Sequence, residues 1–473
     1  MITLYTPSTG FPDLEVKIAY GLARIGIEAF GMEHVTIQKE GGFYKVIIDA
    51  NEKEFTKFNQ TLNFLTHRLL SSNYIFFTTP GITSKSAKGI SVNENETFSA
   101  NRYLTLKDSL KNKPSENICG HKGESVGNII GLTSETSYHR KRDGIDISIQ
   151  QNLPRRPTNP KKLCKVCALI SILGIWYTTF IFNMGNREVT VIPLPKENQV
   201  RGQRLQEIFS VQHIIRKEWV KAEIPQTVVG LLLLSKIPSS SYVFKGFDLF
   251  IAILSRQQGY HVDGIFMIPI ENYLHFINYS PYNIATIDKI YSTFINSNYQ
   301  DAYDTFLTLN NVLLYKDIAL LYKFSRLYTI ETSPKDTGFT NLLFPETANY
   351  LLKEVAMIPQ DIIENSSLRS LARTLRYFIR ERKYSYADDI RNATEESRVF
   401  EETIAKMLRE ARLRYEQNKK IHLPNENEIT EVFKLANQDF ESTKTALIIL
   451  AFSFPQKSEE DLEKEDLGIE EVK

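Results

Sequence analysis

The sequence predicts an α+β protein: a mixed α/β N-terminal part with a ferredoxin-like start, a loop-rich insertion bearing all the cysteines, and a C-terminal helical bundle. Three observations predict it. Hydropathy over the first 70 residues alternates between periods of about 2 and 3.6 in the order βαββα. Composition then shifts to Ser, Thr, Asn, Gly and Lys between Gly81 and Pro160. From about Asn296 onward the apolar stripes have helical spacing. The layout is 1–80 for the α/β start, 81–168 for the basic insertion, 169–295 for a continuation of the α/β part, 296–455 for the helical part, and 456–473 for an acidic tail.

Met1 to Tyr5 reads as a strand, and Asp13 to Phe30 as a helix with Leu14, Ile18, Leu22 and Ile25 on one face. Val35 to Gln38 and Tyr44 to Asp49 read as strands joined at Gly41-Gly42, and Lys53 to Leu70 returns to helix. This order is most of a ferredoxin-like unit, the fold that also carries RNA-recognition modules, without their aromatic signature. Strand-like runs at Val189 to Leu194 and Val262 to Ile270 continue the sheet. Near the end, Asn425 with Glu428 three residues later forms a capping box. Ile429, Val432, Phe433, Ala436 and Phe440 follow it at helical spacing, and Phe400, Ile404, Met407, Leu408 and Ala411 form another stripe. Tyr315, Tyr322 and Tyr328 have the spacing of core residues.

The formal net charge of +1 hides a split. The segment Gln456 to Lys473 holds eight acids and three lysines, which leaves 54 basic and 48 acidic residues elsewhere, about +6. That excess is compatible with a nucleic-acid partner, and the acidic segment is too poor in apolar residues to order itself. Three cysteines in 473 residues argue against a disulfide framework. No basic start, apolar run and small-residue cleavage site is present. The apolar run Ala168 to Phe182 is 15 residues, short for a bilayer. The expectation is a cytoplasmic protein with no membrane partner.

Every cysteine falls into one candidate metal site: Cys119-Gly-His121 and, after 42 intervening residues, Cys164-Lys-Val-Cys167. Three thiolates and an imidazole complete a tetrahedral zinc shell and leave no position for a reacting water, so the zinc would be structural. His139 competes with His121 for the fourth place, and the opposing reading is a pair of buried thiols beside a solvent-facing histidine. Closing such a loop costs about 3 to 4 kcal/mol of chain entropy, against roughly 10 to 16 kcal/mol from a structural zinc. The clip would present a basic loop carrying Arg140, Lys141, Arg142, Arg155 and Arg156.

A second cationic feature lies on the helix predicted over Leu368 to Lys383. Leu368, Leu371, Ala372, Leu375 and Ile379 share one face, and Arg369, Arg373, Arg376 and Arg380 fall within an arc of about 60° on another. Four guanidinium groups in line can follow a phosphate backbone; equally, Glu395, Glu396, Glu401 and Glu402 on the next helix could pair with them. Tyr386-Ala-Asp-Asp389 matches the reverse-transcriptase tetrapeptide, but flanking Arg380 to Lys383 and a helical pattern make Asp388 and Asp389 a helix N-terminal cap. His261-Val-Asp263 sits in a predicted strand with no second His/Asp pair. Gly81 to Gly89, with Lys85 and Lys88, lacks the order of a phosphate loop. No G-x-S-x-G or H-E-x-x-H occurs. The expectation is a binding protein, not an enzyme.

The run from Thr6 through Phe11-Pro12-Asp13-Leu14 to Ala29 resembles the start of the large subunit of the archaeal type I-A CRISPR interference complex (Cascade). The segment Leu368 to Glu416, with Arg376-Tyr-Phe-Ile-Arg-Glu-Arg-Lys383 and Tyr386-Ala-Asp-Asp-Ile-Arg391, is similar to the helical part of that family. The resemblance implies a non-catalytic role in antiviral defense. Such a subunit sits near the 5′ handle of the guide RNA, reads the protospacer-adjacent motif (PAM) in duplex target DNA, helps unwinding, and supports recruitment of a helicase-nuclease alongside the other subunits. Charge and loop context make Lys85 and Lys88, then Arg140, Lys141, Arg142, Arg155 and Arg156, the first candidates for nucleic-acid contact. Arg369, Arg373, Arg376 and Arg380 are the second. A stand-alone RNA-binding or RNA-processing factor is the alternative.

Overall fold

The computed structural model describes residues 1–8, 12–71, 113, 125–126, 163–184, 187–215, 226–237, 239–255, 261–296, 300–333, 340–396 and 398–455. The chain forms two compact units, Met1–Glu271 and Asn272–Lys473. The first is α+β with two small antiparallel sheets, and the second is mostly helical.

In the first unit, β1 (Ile2–Tyr5), α1 (Pro12–Phe30), β2 (Val35–Glu40), β3 (Phe43–Ile48) and α2 (Phe55–Ser71) reproduce the βαββα order read from the sequence. Two short strands, β4 (Ser125–Val126) and β5 (Leu163–Cys164), pair antiparallel with Ser125 opposite Cys164. They are followed by α3 (Lys165–Thr178), β6 (Phe180–Met184), β7 (Arg187–Pro195), β8 (Gln199–Arg201) and α4 (Gly202–Ile215). The unit closes with α5 (Val229–Lys236), α6 (Ser240–Val243), β9 (Phe247–Ser255) and β10 (His261–Ile268).

The first sheet has the order β1-β3-β2-β8. Ile2 and Val35 both register on Ile48, and Ile37 pairs with both Val46 and Val200, so one pleat face is apolar up to Lys39 at the end of β2. The fourth strand of a ferredoxin-like sheet lies beside β1; here β8 lies beside β2 instead. The runs expected to extend this sheet, found as β7 and β10, form a second antiparallel sheet of order β10-β9-β7-β6. Eight of the nine residues of β7 are buried, which is why its apolar run carries no alternation to mark a face.

Helix α1 is buried nearly all round, because the first sheet covers one side and α3 another. Gly21 and Gly174 make that approach possible. A Cβ at Gly21 would lie 2.0 Å from the Ile170 carbonyl oxygen, and one at Gly174 would lie 1.8 Å from that of Lys17. Asp13 and Lys17, both buried, form an ion pair at 3.2 Å one helical turn apart. The Tyr20 hydroxyl donates to the Pro193 carbonyl in β7 at 2.5 Å, tying α1 to the second sheet. Among the described residues, no helix is long and apolar enough to cross a membrane; the apolar run after the cysteine pair is α3 and β6.

The second unit consists of α7 (Glu271–Tyr279), α8 (Pro281–Asn296), α9 (Gln300–Tyr315), α10 (Ala319–Thr332), α11 (Pro345–Tyr350), which runs into a π-helical turn, and α12 (Gln360–Glu364). Then come α13 (Ser366–Arg380), α14 (Ser385–Asn392), α15 (Val399–Glu416), α16 (Glu426–Gln438) and α17 (Phe440–Ala451). Helix α13 packs against α16 and α17 with Leu368, Leu371, Ala372, Leu375 and Ile379 buried, as its stripe predicts. The Asn425–Glu428 capping box opens α16, with Glu428 N–H donating to Asn425 Oδ1 at 2.9 Å and Asn425 N–H donating to Glu428 Oε2 at 2.7 Å. Tyr322 and Tyr328 are core residues; Tyr315, at the end of α9, is 71 % exposed and is not.

Candidate nucleic-acid interface

The arginine stripe of α13 is the sequence-predicted site that falls within the described residues. Asn365 starts the helix by accepting from Leu368 N–H at 2.9 Å. The apolar face is fixed in the bundle, which turns the arginine face toward the junction of α11 and the segment after α17. Two backbone bonds set that junction: Leu343 N–H to Phe452 O and Phe454 N–H to Leu343 O, both 2.9 Å. Between these walls lies an open cleft enclosing about 50 Å³. Its polar lining is Asn349, Arg369, Arg373, Arg376 and Ser453, and it contains no carboxylate.

The arginines hold different positions. Arg373 is exposed. Arg369 is half-buried and donates from Nε to the Ile363 carbonyl at 2.9 Å; burial lowers its pKa, and Arg373 adds to the effect against the opposing pull of Glu364. Arg376 is buried, 9 % exposed. Its Nη2 donates to the Leu450 carbonyl in the last turn of α17 at 2.7 Å, where the helix dipole favours a cation. Its Nε is buried without a hydrogen-bond partner. Burial brings this guanidinium down to about 10, with Arg373 and Arg380 pushing the same way. Arg380, at the end of α13, is exposed and does not line the cleft.

The acids that could have neutralised this stripe do not. Glu395, Glu396, Glu401 and Glu402 are exposed, and among the described residues none forms an ion pair with Arg369, Arg373 or Arg376. They sit elsewhere on the bundle because α13 meets α16 and α17 more extensively than it meets α15. The lining thus combines a buried cation with an idle donor, two further guanidinium groups and no carboxylate, donor chemistry of the kind that phosphate oxygens accept.

Asp388 and Asp389 are inside α14, whose N-cap residue is Tyr384; Asp388 is in the first turn, where the helix dipole favours an acid as expected of the N-terminal end. Asp388 accepts from the Tyr322 hydroxyl and from Arg326 at 2.9 Å, a tertiary ion pair that outcompetes a local cap. The tetrapeptide of which it is part is helical, not a hairpin. His261 and Asp263 are in β10, as expected. Lys85, Lys88, Arg140, Lys141, Arg142, Arg155 and Arg156 lie outside the described residues, as do Cys119, His121 and His139.

Of the proposed zinc ligands, Cys164 is the last residue of β5 and Cys167 is buried in the first turn of α3. Among the described residues, no group of three or more His, Cys, Asp or Glu side chains could hold a metal. The backbone does bear on the fit. Ser125, opposite Cys164, follows His121 by four residues, a span of at most about 14 Å. The pairing brings Ser125 beside Cys164, and thiolate and imidazole donors are of the kind that suit zinc.

Sequence reasoning missed Asn349, Ser453 and the Leu450 carbonyl as parts of the cleft, since none carries a periodic or charge signal. No protein-family model matches the chain, and no curated protein matches it.

Proposed function

We propose that the chain is a non-catalytic nucleic-acid-binding subunit whose helical unit holds a phosphate of the bound strand in the arginine cleft of α13. The observation that carries this reading is the cleft itself: Arg369, Arg373 and Arg376 converge with no carboxylate among its lining residues. Phosphate contacts fix register and supply most of the salt-dependent affinity, so such a face serves positioning, not sequence reading.

With the resemblance of Thr6 to Ala29 and Leu368 to Glu416, the specific proposal is the large subunit of an archaeal type I-A CRISPR surveillance complex, acting in the cytoplasm. It would recognise the protospacer-adjacent motif in duplex DNA, help unwinding and support helicase-nuclease recruitment, with guide RNA and the other subunits as partners. Structural zinc on Cys119, His121, Cys164 and Cys167 would hold the basic loop of Arg140 to Arg156. The pairing of β4 with β5 supports that clip.

Co-purification from the native source tests the assignment. Recovery of a repeat-derived guide RNA and a repeating backbone subunit is the expected result. An RNA bound or cut by the chain alone, without such partners, would replace it with the stand-alone RNA factor.

A further inference from the structure

A second groove, in the first unit, lies apart from α13. It is bounded by β8, the first turn of α4 and the segment from Tyr242 to Phe247, which turns from the end of α6 into β9, and it encloses about 460 Å³. That is within the roughly 300–1,000 Å³ of small-molecule sites, large enough for a nucleotide.

Three kinds of group meet there. Tyr242, on α6, is 61 % exposed. Arg204 fixes the turn into β9: its Nη1 and Nη2 donate to the carbonyls of Tyr242 and Lys245, and its guanidinium stands 5.2 Å from the Tyr242 ring centroid. The ring is thus held by backbone bonds and remains open to solvent. Arg204 is also 3.8 Å from Glu207 and is committed to this scaffold. Arg201 and Lys245 are exposed, line the groove, and have no ion-pair partner among the described residues. Glu197 is the one carboxylate in the lining. Gly246 lets it in, for with φ of +82° its missing Cβ would stand 2.8 Å from Glu197 Oε1.

An aromatic plate, two uncommitted cations and one placed carboxylate match the three parts of a ribonucleotide. A base stacks on an exposed aromatic; a phosphate attracts Arg and Lys; a carboxylate accepts from ribose hydroxyls, of which the 2′ group distinguishes RNA from DNA. We infer that this groove binds one unpaired ribonucleotide, its base on Tyr242, its phosphate between Arg201 and Lys245, and its ribose hydroxyls on Glu197. The inference is independent of the α13 cleft, which recognises phosphate alone.

The test uses the full chain carrying Arg369→Gln, Arg373→Gln and Arg376→Met, so that the α13 cleft is silent. Binding of a labelled single-stranded hexaribonucleotide is followed by anisotropy, with AMP as competitor and the DNA hexamer of the same sequence as control. Tyr242→Ala weakens RNA binding by about 5- to 150-fold, the loss of one stacked base, while Tyr242→Trp retains it and shows that the turn still folds. Arg201→Gln with Lys245→Gln flattens the salt dependence, and Glu197→Gln brings RNA and DNA affinities together. Competition by AMP assigns the groove to nucleotides free or in a chain; oligonucleotide binding without AMP competition assigns it to a strand. Unchanged RNA affinity in Tyr242→Ala, or RNA and DNA bound equally by the chain with an intact groove, overturns the inference. So does loss of all RNA binding from the α13 substitutions alone, which leaves the α13 reading standing.

Discussion

Replacing Arg376 by methionine separates a binding role from a structural one. In the folded chain the guanidinium is buried, and its shift to about 10, from burial first and repulsion by Arg373 and Arg380 second, corresponds to roughly 3 kcal/mol against the charged form. Against that stands one charge-assisted hydrogen bond to the Leu450 carbonyl, about 1.5 to 3 kcal/mol. Methionine removes both. It also leaves no orphaned acceptor, because the Leu450 carbonyl still receives Phe452 N–H and the Ser453 hydroxyl. The net effect on stability is therefore within about 1 to 2 kcal/mol of zero, and thermal unfolding shifts by only a few degrees. Affinity for nucleic acid behaves differently, since an ion-assisted contact with phosphate is lost outright, about 10- to 100-fold. Differential scanning calorimetry and anisotropy on the same preparation read the two quantities. A variant destabilised by more than about 3 kcal/mol with unchanged binding would refute the reasoning and make Arg376 a bundle cross-link.

Four further outcomes are expected. Arg373→Gln, at an exposed position, lowers the slope of log affinity against log salt by about 1 and leaves the unfolding temperature unchanged. Gly174→Ala drives a methyl into the Lys17 carbonyl, separates α1 from α3 and destabilises the first unit by at least about 1 to 3 kcal/mol in denaturant titration. Cys164→Ser lowers zinc, measured by atomic absorption, from one equivalent per chain toward none; a metal-free, fully folded native chain removes the clip. Deleting 456–473 takes away eight acids and three lysines, so the remaining +6 binds polyanions more tightly at low salt, an advantage that vanishes at high salt.

The local elements were legible where a period or a cap writes itself into the residues. Leu14, Ile18, Leu22 and Ile25 mark α1, and Asn425 with Glu428 marks the start of α16. Tertiary placement was less legible. The sequence pattern shows one apolar face on α1, but α1 is enclosed by sheet and helix, so Asp13, Glu15 and Lys17 are buried as well. Three residues of β8 are too few to carry alternation, yet they complete the first sheet and wall the second groove. Arg369, Arg373, Arg376 and Arg380 were readable as a stripe. Whether acids would meet it depended on which helices α13 packs against, which no spacing encodes. Tyr242 was invisible as a site because its partners come from β8 and α4, some 40 residues earlier in the chain.

The most direct measurement of the central claim is a salt titration of duplex DNA binding by the guide-RNA complex assembled with Arg369→Gln, Arg373→Gln and Arg376→Met. The cleft predicts that the slope of log affinity against log salt falls by about 1 if one phosphate is seated there and by up to about 3 if each arginine meets its own, with assembly intact. An unchanged slope at unchanged affinity would contradict it.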